Sequence, residues 1–261
     1  MTDDTGKRPV LRDARLALAL LTVVPSGVLW PERERTGVAA WFAAVGLVFG
    51  WVAYSFAAAV PVSVAQSVGG LMGALMVLAG ALVTRLLHYD GLADVADAWW
   101  GGDSAERRLA IMADSRTGAF GATGVALVVI VQVTAASSLL ATSSAALLIA
   151  PVVGRLAATI AAWIGEPARD GGLGRSVMGR PRLSEVAIAL AVCVLTAGGA
   201  YAIQGVIGLI LMGAGMASAL VVPHYIAKRV GGVTGDVMGA SIIVVGTLIL
   251  VAGALVNGVF G

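Results

Sequence analysis

Charged residues occur in this chain only in blocks, and the stretches between the blocks constrain what it can fold into. No Asp, Glu, Lys or Arg occurs in 37–84, 117–154, 186–227 or 237–261. Backbone inside a bilayer must satisfy its own amides and carbonyls, so uncharged stretches of this length cross as helices. The chain is 59% apolar and 12% charged with a mean hydropathy of +0.93, whereas a soluble domain carries roughly 25% charged residues. These features identify an integral membrane protein. A crossing takes about 20 residues, so the first three stretches each hold two spans and the last holds one, about seven in all.

Turn-forming residues lie where each pair must reverse, at Pro61-Val62-Ser63, Thr142-Ser143-Ser144 and Gln204-Gly205. The expected fold is all-α: a polytopic membrane helix bundle of about seven transmembrane helices, with short interfacial helices on its cytoplasmic face. It is a single integral-membrane domain over 1–261. The order is a cytoplasmic N-terminus (1–36), a helix pair (37–84), an acidic segment (85–118), a second pair (117–164), a loop (165–185), a third pair (186–222), a loop (223–236) and a last helix (237–261). Leu16 to Leu29 is apolar but short and contains Pro25 and Gly27, which suits an interfacial or re-entrant helix.

The loops on one face carry nearly all the cations beyond the N-terminus: Arg33 and Arg35, then Arg85, Arg107, Arg108 and Arg116, then Arg169, Arg175, Arg180 and Arg182, then Lys228 and Arg229. The positive-inside rule makes that face cytoplasmic. Lys7, Arg8, Arg12 and Arg15 put the N-terminus there too, and an odd number of spans leaves the C-terminus outside. The address expected is a bacterial inner membrane. Met1-Thr2-Asp3-Asp4 is a poor start for a cleaved signal peptide. With Cys193 the sole cysteine, disulfides and thiolate metal sites are excluded.

Chemistry concentrates on the basic face. His88-Tyr89-Asp90-Gly91-Leu92-Ala93-Asp94-Val95-Ala96-Asp97 sets three carboxylates at helical spacing, which brings them within about 60° of one another around a helix. Three such acids repel one another unless they titrate up, meet basic groups or bind a divalent cation, and all-oxygen donors select Mg²⁺ or Mn²⁺ over zinc. A solvated acidic face is the plain alternative. In the next block, Asp103 or Ser104 caps a short amphipathic helix with Arg107 and Arg108 on its wet side. Asp114 and Arg116 stand at the mouth of a span, as a local ion pair or as site residues.

Gly231-Gly232-Val233-Thr234-Gly235-Asp236 enters the last span, where glycine amides can approach an anion and Asp236 can add a metal oxygen. An N-cap at Thr234 or Asp236 is the structural alternative. Arg155 lies within a span and is expected to face the bundle or a polar cavity. The loop Glu166–Arg175, glycine-rich and basic, suits a phosphate cradle or a plain positive-inside loop. Acids that can hold metal and bases that can hold phosphate share one face, a combination that suits phosphoryl transfer by direct displacement.

These blocks, in this order, resemble the cobalamin synthase family, the adenosylcobinamide-GDP ribazoletransferases, over nearly the whole chain. The match rests on His88–Asp94 with Asp97, on Ile111–Gly121, on Gly154-Arg155 with Pro167-Ala168-Arg169 and Gly172-Leu173-Gly174, and on Gly232–Ala240. The resemblance implies an Mg²⁺-dependent transferase, with Mn²⁺ as a possible substitute. It would join adenosylcobinamide-GDP to α-ribazole or its 5′-phosphate and release GMP. Asp90, Asp94 and Asp97, with Asp114 and Asp236, would hold the metal. Arg116, Arg155, Arg169 and Arg175 would contact phosphates, with Ser115, Gly118, Thr234 and Gly235 also at the substrate, and His88, Asp90 or Asp94 would take the proton. Relatives usually carry a glutamate beyond Gly239-Ala240 where this chain has Ser241-Ile242-Ile243, and a basic residue is expected before Pro25.

Other readings are a CDP-alcohol-type phosphotransferase, whose motif wants arginine where Asp94 stands, and a small transporter, which would need broken helices and polar groups at mid-membrane. No nucleic-acid partner is expected, and a homo-oligomer is left open.

Overall fold

The computed structural model describes residues 9–25, 27, 36–142, 144–168 and 173–260. In chain order its helices are α1 (Pro9–Leu21), α2 (Thr36–Ala40), α3 (Phe42–Ala59), α4 (Val62–Val83), α5 (Leu87–Gly101), α6 (Ala105–Ile111), α7 (Ala119–Leu140), α8 (Ala145–Ile164), α9 (Leu173–Ser176), α10 (Leu183–Val230) and α11 (Gly235–Phe260). Among the described residues the β-structure consists of an isolated bridge between Pro167 and Val233.

Six helical stretches among the described residues are long and apolar enough to cross a bilayer. One of them, α10, has 48 residues, about 72 Å if straight and more than twice a hydrocarbon core. It breaks at Gln204 (φ −134°, ψ 16°) and Gly205 (φ 57°, ψ −135°). A Cβ on Gly208 would collide with the carbonyl oxygen of Ala200, so the chain folds back there. Thus α10 is a hairpin of two spans and the expected count of about seven holds. The left-handed φ of Gly205 is why the reversal falls on a glycine.

The most enclosed helix is α8, with 89% of its span buried against 17% for α4. It packs against α3, α10 and α11. Lipid tails are as apolar as the side chains, so helix association here depends on close contact. Gly46 of α3 lets the backbones meet at Pro151, and Gly154 of α8 lies 2.6 Å, measured from a would-be Cβ, from the carbonyl oxygen of Ile242.

At the end of the bundle away from the basic loops, the Gln204 side-chain oxygen accepts from Ser144 Oγ (3.0 Å) and the Ala145 amide (2.8 Å). Its amide group donates to Asn257, which in turn donates to Thr142. This chain of bonds pairs polar groups that the bilayer would leave unsatisfied.

The first helix, α1, is too short to cross, and it buries Leu16, Ala17 and Leu21 while exposing Val10 and Leu11, as an interfacial helix does. Residues 26, 28 and 29 of the segment read as interfacial or re-entrant lie outside the described residues. Ser104 caps α6, accepting from the Arg107 amide at 3.2 Å. Arg108, expected on the wet side, is instead buried and donates to the Arg229 carbonyl at 3.0 Å. The cause is the end of α10, where Gly231 turns left-handed (φ 102°) and leaves carbonyls without helical partners.

Candidate functional site

The acidic helix α5 is aimed by a strained turn. Arg85 (φ 54°) and Leu86 (φ 55°) are consecutive non-glycine residues in the left-handed region, a conformation that persists only where surroundings enforce it. Here the Leu86 amide donates to the Ala81 carbonyl, Arg85 donates to the Ala19 carbonyl of α1, and the Val23 amide donates to the Val83 carbonyl. From this turn α5 runs between α7 and α11. Tyr89 donates its hydroxyl to Gln132 of α7, which donates to Thr247 of α11 at 2.8 Å. Burial raises the Tyr89 phenol to about 12, so it stays protonated.

The three acids of α5 have different surroundings. Asp90 is exposed and Asp94 half-buried, one turn apart. Asp97 is buried, and its two oxygens accept from the amides of Gly118 (2.6 Å) and Gly121 (2.8 Å). Those amides open α7, so Asp97 supplies from a neighbouring helix the cap that Gly118, having no side chain, does not. It belongs structurally to the α5–α7 joint.

Gly91 separates Asp90 from Asp94, and a Cβ there would stand 2.8 Å from the carbonyl oxygen and 2.9 Å from the Cα of Asp236. Only a glycine lets α11 begin against α5 and bring Asp236 beside the pair. Thr234 caps α11, accepting from the Val237 amide at 3.2 Å, and also donates to the Asp236 carboxylate at 3.3 Å. Asp236 stands in the first turn, where the helix dipole favours an anion.

Two loops that looked unrelated in sequence meet here. The Val233 amide donates to the Glu166 carbonyl at 2.7 Å and the Ala168 amide to the Val233 carbonyl at 3.0 Å. Gly174 of α9 lies 2.6 Å, again from a would-be Cβ, from the Gly235 nitrogen. Under this junction is a cavity of about 310 Å³. Arg175, Thr234, Gly235 and Asp236 stand at its partly exposed mouth, and His88 lies among buried apolar residues inside.

His88 is 3% exposed and its Nε2 has no partner among the described residues. Burial first, then the charge of Arg155, holds its imidazole well below the ordinary range, at about 3. It is therefore neutral at physiological pH and a weak base, better suited to hydrogen bonding than to taking a proton. Arg155 is buried as expected, with its guanidinium 4.5 Å from the Phe49 ring centroid and one nitrogen donating to Pro151.

The structure thus brings His88, Arg175, Thr234, Gly235 and Asp236 to one cavity, with Asp90 and Asp94 adjoining across Gly91. Asp114 and Arg116 pair with each other at 2.7 Å on an exposed loop with Ser115, and that pairing lowers the Asp114 carboxyl to about 2. Gly118 is committed to Asp97, and Arg169 lies outside the described residues. Sequence reasoning did not find the apolar lining from Leu21, Phe42, Ala158 and Val177, which no spacing connects. It also missed the role of Gly91, for which a glycine inside an acidic helix was the available signal.

Among the described residues no three His, Cys, Asp or Glu side chains form a ready-made metal cage. The donors present are carboxylate oxygens, the type that takes Mg²⁺ through one or two side chains and leaves its other positions to water and substrate phosphate. The residues fit such an ion.

Comparison with known proteins gives one consistent result. The family model described as cobalamin-5-phosphate synthase matches residues 13–254. A protein of Syntrophobacter fumaroxidans named adenosylcobinamide-GDP ribazoletransferase is 41% identical over 218 residues, 82% of this chain and 84% of its own. One of Frankia casuarinae with the same name is 37% identical over 257 residues, 89% and 91% of the two chains. No solved structure matches.

Proposed function

The chain belongs to the cobalamin-5-phosphate synthase family, and on that premise we propose that it joins adenosylcobinamide-GDP to α-ribazole or α-ribazole 5′-phosphate. The products are adenosylcobalamin or its 5′-phosphate, and GMP. The observation that supports this most is the meeting of Arg175, Thr234 and Asp236 at a cavity mouth beside the Asp90–Asp94 face.

In this reading Asp90 and Asp94, with Asp236, would hold Mg²⁺, or Mn²⁺ in its place. Such an ion would supply charge neutralisation at the pyrophosphate. Arg175 and the amides around Gly235 bind phosphate oxygens. A ribose hydroxyl oxygen bonds to the phosphorus on the cobinamide side, the bond from that phosphorus to the bridging oxygen breaks, and GMP leaves with the electron pair. The hydroxyl proton passes to a carboxylate of α5, since Asp90 and Asp94 reach the exposed side of the site while His88 is buried among apolar residues. Asp97 and Asp114 serve their structural partners and stay out of the metal shell.

Purified protein given both substrates and Mg²⁺ is expected to release GMP in step with the new corrinoid. Chelation should stop release and added Mg²⁺ restore it; no GMP under these conditions would sink the assignment.

The basic loops support a cytoplasmic site, an N-terminus on that side and an outside C-terminus, in a bacterial inner membrane. With Asp103→Cys and Gly258→Cys variants in spheroplasts, an impermeant maleimide should label only position 258. Labelling of position 103 instead would reverse the orientation.

A further inference from the structure

We propose that the cavity beneath α9 is the seat of the nucleoside base, and that it takes a flat, largely apolar bicycle with one imine nitrogen, the benzimidazole of ribazole. This rests on the transferase reading above and assigns one of the two substrates to one place. At about 310 Å³ the cavity is at the small end of ligand pockets, roughly 300–1,000 Å³. That is room for a nucleoside base and far too little for a corrin.

Its inner wall is formed by Leu21, Phe42, Ala158, Val177, Met238 and Ile242, all buried, from elements spread over the chain. Into this wall a single polar side chain is set, His88, with Nε2 buried and unpartnered among the described residues. A buried nitrogen without a partner costs stability, so a group that completes it gains a full hydrogen bond on binding. The unsubstituted ring nitrogen of a benzimidazole offers one lone pair in the plane of the bicycle, which matches one imidazole N–H. Guanine, the other base in the reaction, would bring a carbonyl, a ring N–H and an amine into the same wall and leave most of them unpaired.

The orientation follows from the mouth. With the base inside, the ribose emerges between Arg175 and Thr234, where a 5′-phosphate meets the guanidinium. Its hydroxyls lie beside Asp236 and, across Gly91, the Asp90–Asp94 face.

The test uses the purified full-length protein, with each substrate varied separately. Ala158→Leu, which fills the inner wall, should raise the KM for α-ribazole about tenfold while the KM for adenosylcobinamide-GDP stays within about twofold. An indole riboside, which has C–H in place of the imine nitrogen, should be used about tenfold less well than α-ribazole by wild type, and His88→Leu should erase that preference. A rise confined to the corrinoid KM overturns the assignment, as does equal use of the two nucleosides by wild type. The nucleoside comparison needs only wild-type protein, so it decides even if a variant fails to fold.

Fluorescence titration with α-ribazole alone separates the two claims. Binding weakened by Ala158→Leu in a protein that releases no GMP supports the base seat and removes the reaction. Absence of nucleoside binding removes the seat.

Discussion

Asp94→Asn is expected to lower GMP release by about a hundredfold or more, and Asp90→Asn to do the same. Removing one preorganised electrostatic group from a site of developing charge costs 10²–10³ in rate as an order of magnitude. The substitution is nearly isosteric, and both positions are outside the core, Asp90 exposed and Asp94 half-buried. The variants should therefore elute and melt in detergent like the parent. The Mg²⁺ concentration for half-maximal rate should rise with the loss of a carboxylate. Near-normal rates in both variants, measured at saturating substrates, would remove the metal role from α5.

Asp97→Ala is expected to have a large effect of another kind. It leaves the Gly118 and Gly121 amides without the carboxylate that receives them at 2.6 and 2.8 Å, a loss of roughly 2–4 kcal/mol for two charge-assisted bonds at a helix start. Unfolding in detergent should shift accordingly. Asp97→Asn should recover part of the loss, since an amide oxygen accepts from one amide while its NH₂ faces the other. The Mg²⁺ requirement of the surviving folded protein should be unchanged. An increased Mg²⁺ requirement with unaltered stability would restore Asp97 to the metal shell.

The contrast between Asp94 and Asp97 marks the limit of periodicity. Helical spacing correctly put three acids along one side of α5, but a face spanning about 60° is wide enough to meet two different neighbours. Asp94 stands half-buried one turn from the exposed Asp90, whereas Asp97 reaches amides 21 and 24 residues further along the chain. Arg108 shows the same limit: its helix was legible from Ser104 onward, yet its partner is a carbonyl 121 residues away. The glycine-rich stretch before Gly174 was ambiguous between a phosphate cradle and a plain loop, and the one around Gly235 between an anion or metal site and a helix N-cap. Their contact through the Pro167–Val233 bridge is a long-range pairing that neither stretch encodes alone.

Local chain chemistry by itself determined the membrane helices, their turns at Pro61 and Gln204, and the collection of charge at one end, because a bilayer rejects unpaired backbone and bare charge wherever they occur. Those are one-body demands, readable residue by residue. Tertiary structure alone decided that His88 would be buried and Asp90 exposed, that Asp97 would cap α7, and that α1, α3, α5, α8, α9 and α11 would enclose a cavity. Each of these depends on which helix packs against which, and the glycine contacts that select the packing, such as Gly91 against Asp236, have meaning only when both partners are in place.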